Sequence, residues 1–110
     1  MPERYQVRWA PVAVADTLSI LDYIAQENPG HAEQLFDKLQ ARAKSLERLP
    51  ERGRAVPELQ AIGVRFLREL VIAPYRVLYR IEGNSAHIVA VFDGRRNLED
   101  VLLERVLRND

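Results

Sequence analysis

Arginine is the residue type in this sequence that is best suited to bind another molecule. All 16 basic residues except Lys38 and Lys44 are arginine, and a planar guanidinium can hold phosphate or carboxylate at two points. Eight arginines lie between residues 52 and 96: Arg52, Arg54, Arg65, Arg68, Arg76, Arg80, Arg95 and Arg96. The predicted target-binding set is drawn from these: Arg54, Arg68, Arg76, Arg80, Arg95 and Arg96. The expected partner is anionic, either a phosphate backbone or an acidic protein segment.

The net charge is zero over the whole chain but is unevenly distributed. Residues 1–51 hold six basic and eight acidic side chains, residues 52–96 hold eight and four, and residues 97–110 hold two and four, so the balance runs −2, +4 and −2. A second interpretation of the middle segment stays open. Its arginines could form structural ion pairs on an exposed sheet face, with acidic partners in the same segment: Glu69, Glu82 and Asp93.

Other chemistries have little support in the sequence. The absence of cysteine excludes disulfides, thiolate metal ligands and cysteine nucleophiles. His31 and His87 are far apart in the chain, so no metal site is expected. The serines lack a nucleophile elbow, and the glycines are too scattered for a phosphate-binding loop. No cofactor is expected.

Three apolar runs between residues 65 and 96 form the element that must position the arginines. Ala73-Pro74 separates the first run from the second, and Gly83-Asn84 separates the second from the third. These joints are too short for a crossover, so they predict an antiparallel three-stranded meander. In the middle strand one face is apolar: Tyr75, Val77, Tyr79 and Ile81. The opposite face carries Arg76, Leu78, Arg80 and Glu82, because side chains alternate along a strand.

The N-terminal half predicts a short strand at residues 5–9, followed by a helical hairpin. The first helix begins near Pro11, and its apolar stripe is Val14, Leu18, Leu21 and Ala25, with Ile20 and Ile24 beside it. Asp16 falls on the expected solvent face. Asn28 and Pro29 start the second helix, which ends at Pro50. The hairpin is expected to cover the apolar face of the meander, through residues such as Leu18, Leu21, Leu35 and Leu39.

The predicted fold is α+β in the order β-α-α-β-β-β-α: a small antiparallel sheet, a helical hairpin packed on one face, and a C-terminal helix. Residues 1–110 are expected to form a single domain. No apolar run approaches the roughly 20 residues that a membrane span requires, and the N-terminus lacks a signal-peptide pattern. A cytoplasmic location without membrane contact is therefore the expectation.

The last helix, about residues 98–107, is more apolar than one buried face requires. Its apolar side chains spread over roughly 240° of the helix circumference. Val101, Leu103 and Leu107 lie away from the line through Leu98 and Leu102. These three residues are the predicted contact surface for a protein partner.

Several motifs, taken in order, resemble the RelE/ParE superfamily of toxins from type II toxin–antitoxin operons. They are WAPVAVADTLSILDYIAQENP in the first helix, LERLPERGRAVPEL in the connector, and RELVIAPYRVLYRIEG with VAVFDGRRN in the meander. The likeness covers nearly the whole chain. It implies a small antiparallel sheet with two helices on it, and a cognate antitoxin that binds the toxin in a hetero-oligomer.

The resemblance leaves two targets, because the RelE branch cuts messenger RNA in the ribosome and the ParE branch poisons DNA gyrase. Arg76 and Arg96 match arginines of the RelE-type site. The paired lysines of the nucleases are missing beside Arg68, and Leu102 stands where the closest nuclease pattern has tyrosine. His87 and Asp93 are weak substitutes for a general base. These departures from the nuclease pattern favour a ParE-like gyrase inhibitor that is not an enzyme. The alternatives are a ribosome-dependent endoribonuclease using Arg76 and Arg96, and a decayed toxin that only binds its antitoxin.

Overall fold

The structure is a computed structural model that describes residues 4–108. Its strands are β1 (Gln6–Trp9), β2 (Arg54–Ala55), β3 (Leu67–Ile72), β4 (Tyr75–Glu82) and β5 (Ser85–Asp93). Its helices are α1 (Pro11–Ala25), α2 (Pro29–Lys44), α3 (Pro57–Gln60) and α4 (Leu98–Arg108). A 3-10 turn at Ser45–Glu47 extends α2. The α+β class and the predicted element order are confirmed. The connector also contains the short strand β2 and the short helix α3, and a turn of helix at residues 57–61 had been considered from the sequence.

One five-stranded sheet has the order β1-β5-β4-β3-β2. The meander β3-β4-β5 is antiparallel, as its short joints predicted. Gly83 in the second joint has φ 61°, which glycine adopts without strain. The predicted sheet was antiparallel throughout, but β1 runs parallel to β5 at its edge. The whole helical hairpin separates β1 from the meander, and a connection of that length permits parallel pairing.

The predicted apolar face of β4 lies under the helical hairpin. Val77 and Tyr79 are buried there with Leu35 and Leu39 of α2, while Tyr75 and Ile81 pack at the margin. A shift of β4 by one residue would have turned all four of these side chains away from the helices. The predicted register of β4 is therefore confirmed.

Helix α1 presents a different face to the sheet from the one predicted. Ala13 and Thr17 are its buried residues, whereas Val14 and Leu18 are exposed. The expectation that Leu18 packs on the sheet is therefore wrong. Small side chains on the contact face let a helix lie close to a sheet, and this rotation brings Asp16 to the edge of β5. Leu21, Ile20 and Ile24 pack at the margin of the core.

The arginine-bearing face of the sheet is also covered, although by smaller elements. Val56 and Leu59 from the α3 region and Leu98 and Val101 from α4 pack against the sheet residues Leu78, Ala90 and Phe92. This second core limits how much of the sheet face a partner can reach.

The connector between α2 and β2 is fixed by a tyrosine from the sheet. The hydroxyl of Tyr79 donates to the Pro50 carbonyl at 2.6 Å and accepts from the Gly53 amide at 2.9 Å. Burial raises the pKa of Tyr79. A Cβ on Gly53 would lie 2.6 Å from the tyrosine ring, so the close approach requires glycine here.

Within residues 4–108, none of the helices combines the length and the apolar character that a membrane crossing demands. The prediction of one domain over residues 1–110 stays a prediction, and its ends, residues 1–3 and 109–110, lie outside the described residues.

Candidate functional site

Arg76 is the centre of a buried ionic network on the arginine-bearing face of the sheet, which is the face opposite the helical hairpin. Its Nε donates to Glu69 Oε1 at 2.7 Å, and its Nη1 and Nη2 donate to the two oxygens of Glu58 at 2.8 Å each. The guanidinium carbon lies 5.2 Å from the centre of the Phe92 ring. The hydrogen bonds to Glu58, followed by those to Glu69, raise the pKa of Arg76 above its usual value. The Arg76 guanidinium is thus held by carboxylates along two edges and by the Phe92 ring against one face.

Strand register explains why these side chains meet. Arg54 lies opposite Glu69 in the β2–β3 pair, and Arg76 is a diagonal neighbour of Glu69 in the β3–β4 pair. Arg54 Nε donates to Glu69 Oε2 at 2.6 Å. The wholly buried Glu69 carboxylate therefore bridges two arginines. A buried charge of this kind is stable only when it is paired.

Glu58 completes the network from α3. Its hydrogen bonds with Arg76 lower the pKa of its carboxyl from 4.5 to about 2, so the group is charged at neutral pH. A cleft of 460 Å³ opens beside this ion pair and is called the arginine cleft below. It is lined by Arg54, Pro57, Glu58, Val71, Ala73, Pro74, Arg76, Gly94 and Arg95.

The structure does not bring the six predicted target-binding arginines together. Arg54, Arg76 and Arg95 share the arginine cleft. Arg68 lies opposite Tyr79, on the face of the sheet that the helical hairpin covers, and donates to the carbonyls of Glu51 and Gly53. Side chains alternate along a strand, so Arg68 cannot share a face with its neighbour Glu69.

Three of the predicted arginines are ion-paired near the ends of the sheet. Arg80 pairs with Glu82, Arg95 with Asp93 and Arg96 with Glu104. Glu69, Glu82 and Asp93 are partners that the ion-pair interpretation named, whereas Glu58 and Glu104 were not named. Arg96 faces a second cleft, between α1 and α4, and is not in the arginine cleft with Arg76.

The second cleft contains a contact that the sequence did not indicate. Asp16 Oδ2 accepts from the Val91 amide at 3.0 Å and from Arg105 Nη2 at 2.7 Å. Arg105 Nη1 donates to the Val89 carbonyl at 2.9 Å. Strand β1 pairs with β5 only as far as Ile88, so these two side chains bond to the strand beyond the end of that pairing. Asp16 had been expected in solvent.

Helix α4 turns a different set of residues outward from the one predicted. Val101 is only 6% exposed and packs in the second core, so it does not belong to an accessible contact surface. Leu103 and Leu107 are 57% and 75% exposed, as expected. Leu102 and Val106 are exposed with them. Leu98 and Val101, three residues apart, form the inward face because α4 meets the sheet along a narrow line.

A second apolar surface lies between α1 and α2. A groove of 280 Å³ is lined by Trp9, Val14, Thr17, Leu18, Phe36, Leu39 and Gln40. Val14, Leu18 and Phe36 are exposed there. The sequence signal for this groove was the stripe of large residues on α1, which had been assigned to the core instead.

The described acid–base groups near Arg76 are poorly suited to general base catalysis at neutral pH. The Glu58 carboxylate that contacts Arg76 is ion-paired with it and has a pKa of about 2. His87 lies opposite Arg80, four residues from Arg76 along β4, which corresponds to roughly 13 Å. Asp93 accepts hydrogen bonds from Arg95, and these lower the pKa of the Asp93 carboxyl to about 2. Asp93 is therefore a weak base at neutral pH. Among the described residues there is also no group of three or more potential metal ligands.

The fold and sequence together identify the family. Residues 7–98 match the family model described as ParE toxin of type II toxin–antitoxin system, parDE. The chain belongs to the ParE toxin family. It is also 38% identical over 87 residues to a protein named Toxin RelE2 from Caulobacter vibrioides, an alignment that covers 78% of this chain and 91% of that relative. Membership in the RelE/ParE superfamily, and a role as toxin of a type II system, are thereby established.

Two solved structures share the fold of this ParE-family chain. One is the chromosomal ParDE system from P. aeruginosa, with a TM-score of 0.67, 20% identity, and coverage of 82% of this chain and 96% of that one. The other is the toxin–antitoxin complex RelBE2 from Mycobacterium tuberculosis, with a TM-score of 0.56, 20% identity, and coverage of 84% and 94%. The sheet and its helices are therefore common to structures whose names come from both branches.

Proposed function

We propose that this toxin inhibits DNA gyrase without cutting RNA and that a cognate antitoxin neutralises it in the cytoplasm. The observation that carries the choice of target is the double ion pair of Arg76. The guanidinium that would have to meet a reacting phosphate is buried between Glu69 and Glu58. Both carboxylates would repel an incoming phosphate from this position.

The absence of a suitably placed base among the described residues supports the same choice. A nuclease that activates a ribose hydroxyl requires a group of near-neutral pKa within hydrogen-bonding distance of it. His87 is distant from Arg76, and Glu58 and Asp93 are held as carboxylates of pKa about 2. A protein that acts by binding needs no such group.

Antitoxin binding is supported by two exposed apolar surfaces. The outer face of α4 presents Leu102, Leu103, Val106 and Leu107, and the α1–α2 groove presents Val14, Leu18 and Phe36. Apolar anchors supply most of the affinity of a typical interface, and charges mainly set orientation and association rate. The exposed side chains of Arg80, Arg95 and Arg96 suit an acidic antitoxin segment. The proposed complex is a hetero-oligomer of toxin and antitoxin.

The ribosome-dependent endoribonuclease remains a second candidate for one specific reason. The relative at 38% identity bears the name Toxin RelE2, and Arg76 and Arg96 match the nuclease pattern. Their positions in two different clefts count against a joint role in the free toxin. Cleavage of messages in a translating extract, lost in Arg76→Ala, would favour this candidate.

Induction of the toxin in growing bacteria, with and without antitoxin, tests the proposal. Gyrase inhibition should arrest growth and induce the DNA-damage response while ribosome-bound messages stay intact. Antitoxin co-expression should prevent both effects. Rapid codon-specific loss of messages without a DNA-damage response would contradict the proposal.

A further inference from the structure

The turn that follows α3 holds two large apolar side chains in solvent. Ile62 is 73% exposed and Phe66 is 67% exposed, whereas Val64, between them, packs against the second core. A single exposed apolar residue is ordinary on a protein surface. Two large ones on a single turn form a protruding anchor of the kind that interfaces use. Ile62 and Phe66 are called the apolar knob below.

The backbone of this turn is fixed. The Val64 amide donates to the Leu59 carbonyl at 2.8 Å, and the Gly63 amide donates to the Gln60 carbonyl at 3.0 Å. With φ 85° at Gly63, these two bonds form a Schellman motif. Leu59 lies in the second core and Val64 packs against it, which anchors the turn to the sheet. A turn fixed in this way loses little conformational entropy when its side chains bind a partner.

The α1–α2 groove is a concave apolar surface that can receive such a knob. Val14, Leu18 and Phe36 are exposed along it, and its volume is 280 Å³. This volume is near the lower end of the range for small-molecule pockets, so it suits one or two side chains. The helical hairpin covers one face of the sheet and α3 packs on the other. The knob of one molecule therefore cannot reach its own groove, but it can reach the groove of a second copy.

The charges beside the knob and the groove are complementary. Arg65, between the two knob residues, is exposed. Asp22 lies one turn after Leu18 and Glu33 lies one turn before Phe36, and both acidic residues are exposed. Side chains three or four residues apart on a helix are neighbours, so these carboxylates border the groove. A second copy thus brings a positive charge to a negative rim, which orients the contact and speeds association.

We propose that the free toxin associates with itself, and that the apolar knob of one copy inserts into the α1–α2 groove of the next. The two surfaces are different, so the contact is heterologous and leaves a free knob at one end and a free groove at the other. A contact made by two anchor side chains is smaller than the roughly 1,200–2,000 Å² of a stable interface. The association is therefore weak and depends on concentration. An antitoxin anchored in the groove, as proposed above, competes with it.

Sedimentation velocity of the purified toxin at increasing concentration tests the proposal. The sedimentation coefficient of the wild type should rise with concentration. Phe66→Asp alters the knob and Leu18→Asp places a charge in the groove, so each variant alone should remain monomeric. Tyr23→Asp is the matched control, because Tyr23 is exposed on α1 but lies roughly 140° around the helix from Leu18. It should associate as the wild type does.

An equimolar mixture of Phe66→Asp and Leu18→Asp is the decisive sample. It contains one intact knob and one intact groove, on different molecules, so it should form a dimer that grows no further. Circular dichroism checks that each variant is folded. Ile62→Asp, a second change to the knob, should also weaken the association of an otherwise unchanged chain.

A mixture that stays monomeric would overturn the proposal, as would a wild type whose sedimentation coefficient does not change with concentration. Loss of association in Leu103→Asp but not in Phe66→Asp would also overturn it, since α4 would then be the contact surface. Phe66→Asp should still bind antitoxin as the wild type does. The proposal does not depend on gyrase being the target, and gyrase inhibition is read separately, so failure here leaves that proposal unaffected.

Discussion

Arg105 of α4 donates to Asp16 of α1 at 2.7 Å across the edge of β5. The contact joins two helices on opposite faces of the sheet. It also supplies hydrogen-bond partners to the Val89 carbonyl and the Val91 amide, at the point where β1 no longer pairs with β5. An unpaired strand edge is a site for unwanted association, and side chains that occupy it protect the fold.

Arg105→Met should lower the free energy of unfolding by about 2 kcal/mol, because it leaves a largely buried carboxylate without its cation. Urea unfolding measures the change, and hydrogen exchange at the Val91 amide should accelerate with it. Arg96→Met breaks a pair in which both side chains are much more exposed, so its cost should stay below about 1 kcal/mol. Similar costs for the two variants would show that the contact does not stabilise the sheet edge.

Gly53→Ala should destabilise the connector. The new Cβ would lie 2.6 Å from the Tyr79 ring and 2.7 Å from the Glu69 carbonyl oxygen, and overpacking of this kind costs about 1–3 kcal/mol. Gly30→Ala is the matched control, since its nearest neighbour would be 3.7 Å away. Thermal unfolding should show a lower Tm for Gly53→Ala and an unchanged or higher Tm for Gly30→Ala.

Leu103→Asp should weaken antitoxin binding more than Arg80→Ala does. Leu103 lies on the exposed apolar face of α4, whereas Arg80 already pairs with Glu82. The measurement is a calorimetric titration of each variant with antitoxin. Ile62→Asp introduces the same charge at an exposed apolar residue on another element, and it should bind as the wild type does. Unchanged affinity in Leu103→Asp would place the antitoxin elsewhere.

Glu58→Gln should make the free energy of unfolding less dependent on pH under acidic conditions. The folded-state pKa of Glu58 is about 2, below its ordinary value of 4.5, so its contribution is complete above pH 4.5 and is lost as the pH falls toward 2. The wild type should therefore lose more stability than Glu58→Gln over that interval. Unfolding by urea at a series of pH values measures the difference. Equal slopes would mean that the Arg76 pair does not stabilise the folded state.

The meander and its register could be predicted from the sequence because a strand has a period of two residues and its joints were short. Tyr79 and Val77 could face only one way once the apolar run was recognised. The orientation of α1 could not be predicted in the same way. Leu18 is the more hydrophobic choice, but Ala13 and Thr17 occupy the contact face because a close helix–sheet approach favours small side chains.

The ionic network could be predicted only in part. Glu69 was named as an acidic partner because it lies in the arginine-rich segment, and the strand register places it beside Arg54 and Arg76. Glu58 comes from a short helix whose position depends on the second core, and no periodicity in the sequence relates it to Arg76. The Asp16–Arg105 pair spans 89 residues, and its two helices gave no local sign that they meet at one strand edge.

The most direct test of the proposed function is a gyrase supercoiling assay with purified toxin, released from its antitoxin complex and titrated against relaxed plasmid. Supercoiling should fall as toxin is added and recover when antitoxin is returned, while messages in a parallel translating extract remain uncut. Full supercoiling at a molar excess of folded toxin, together with codon-specific cleavage of those messages, would contradict it.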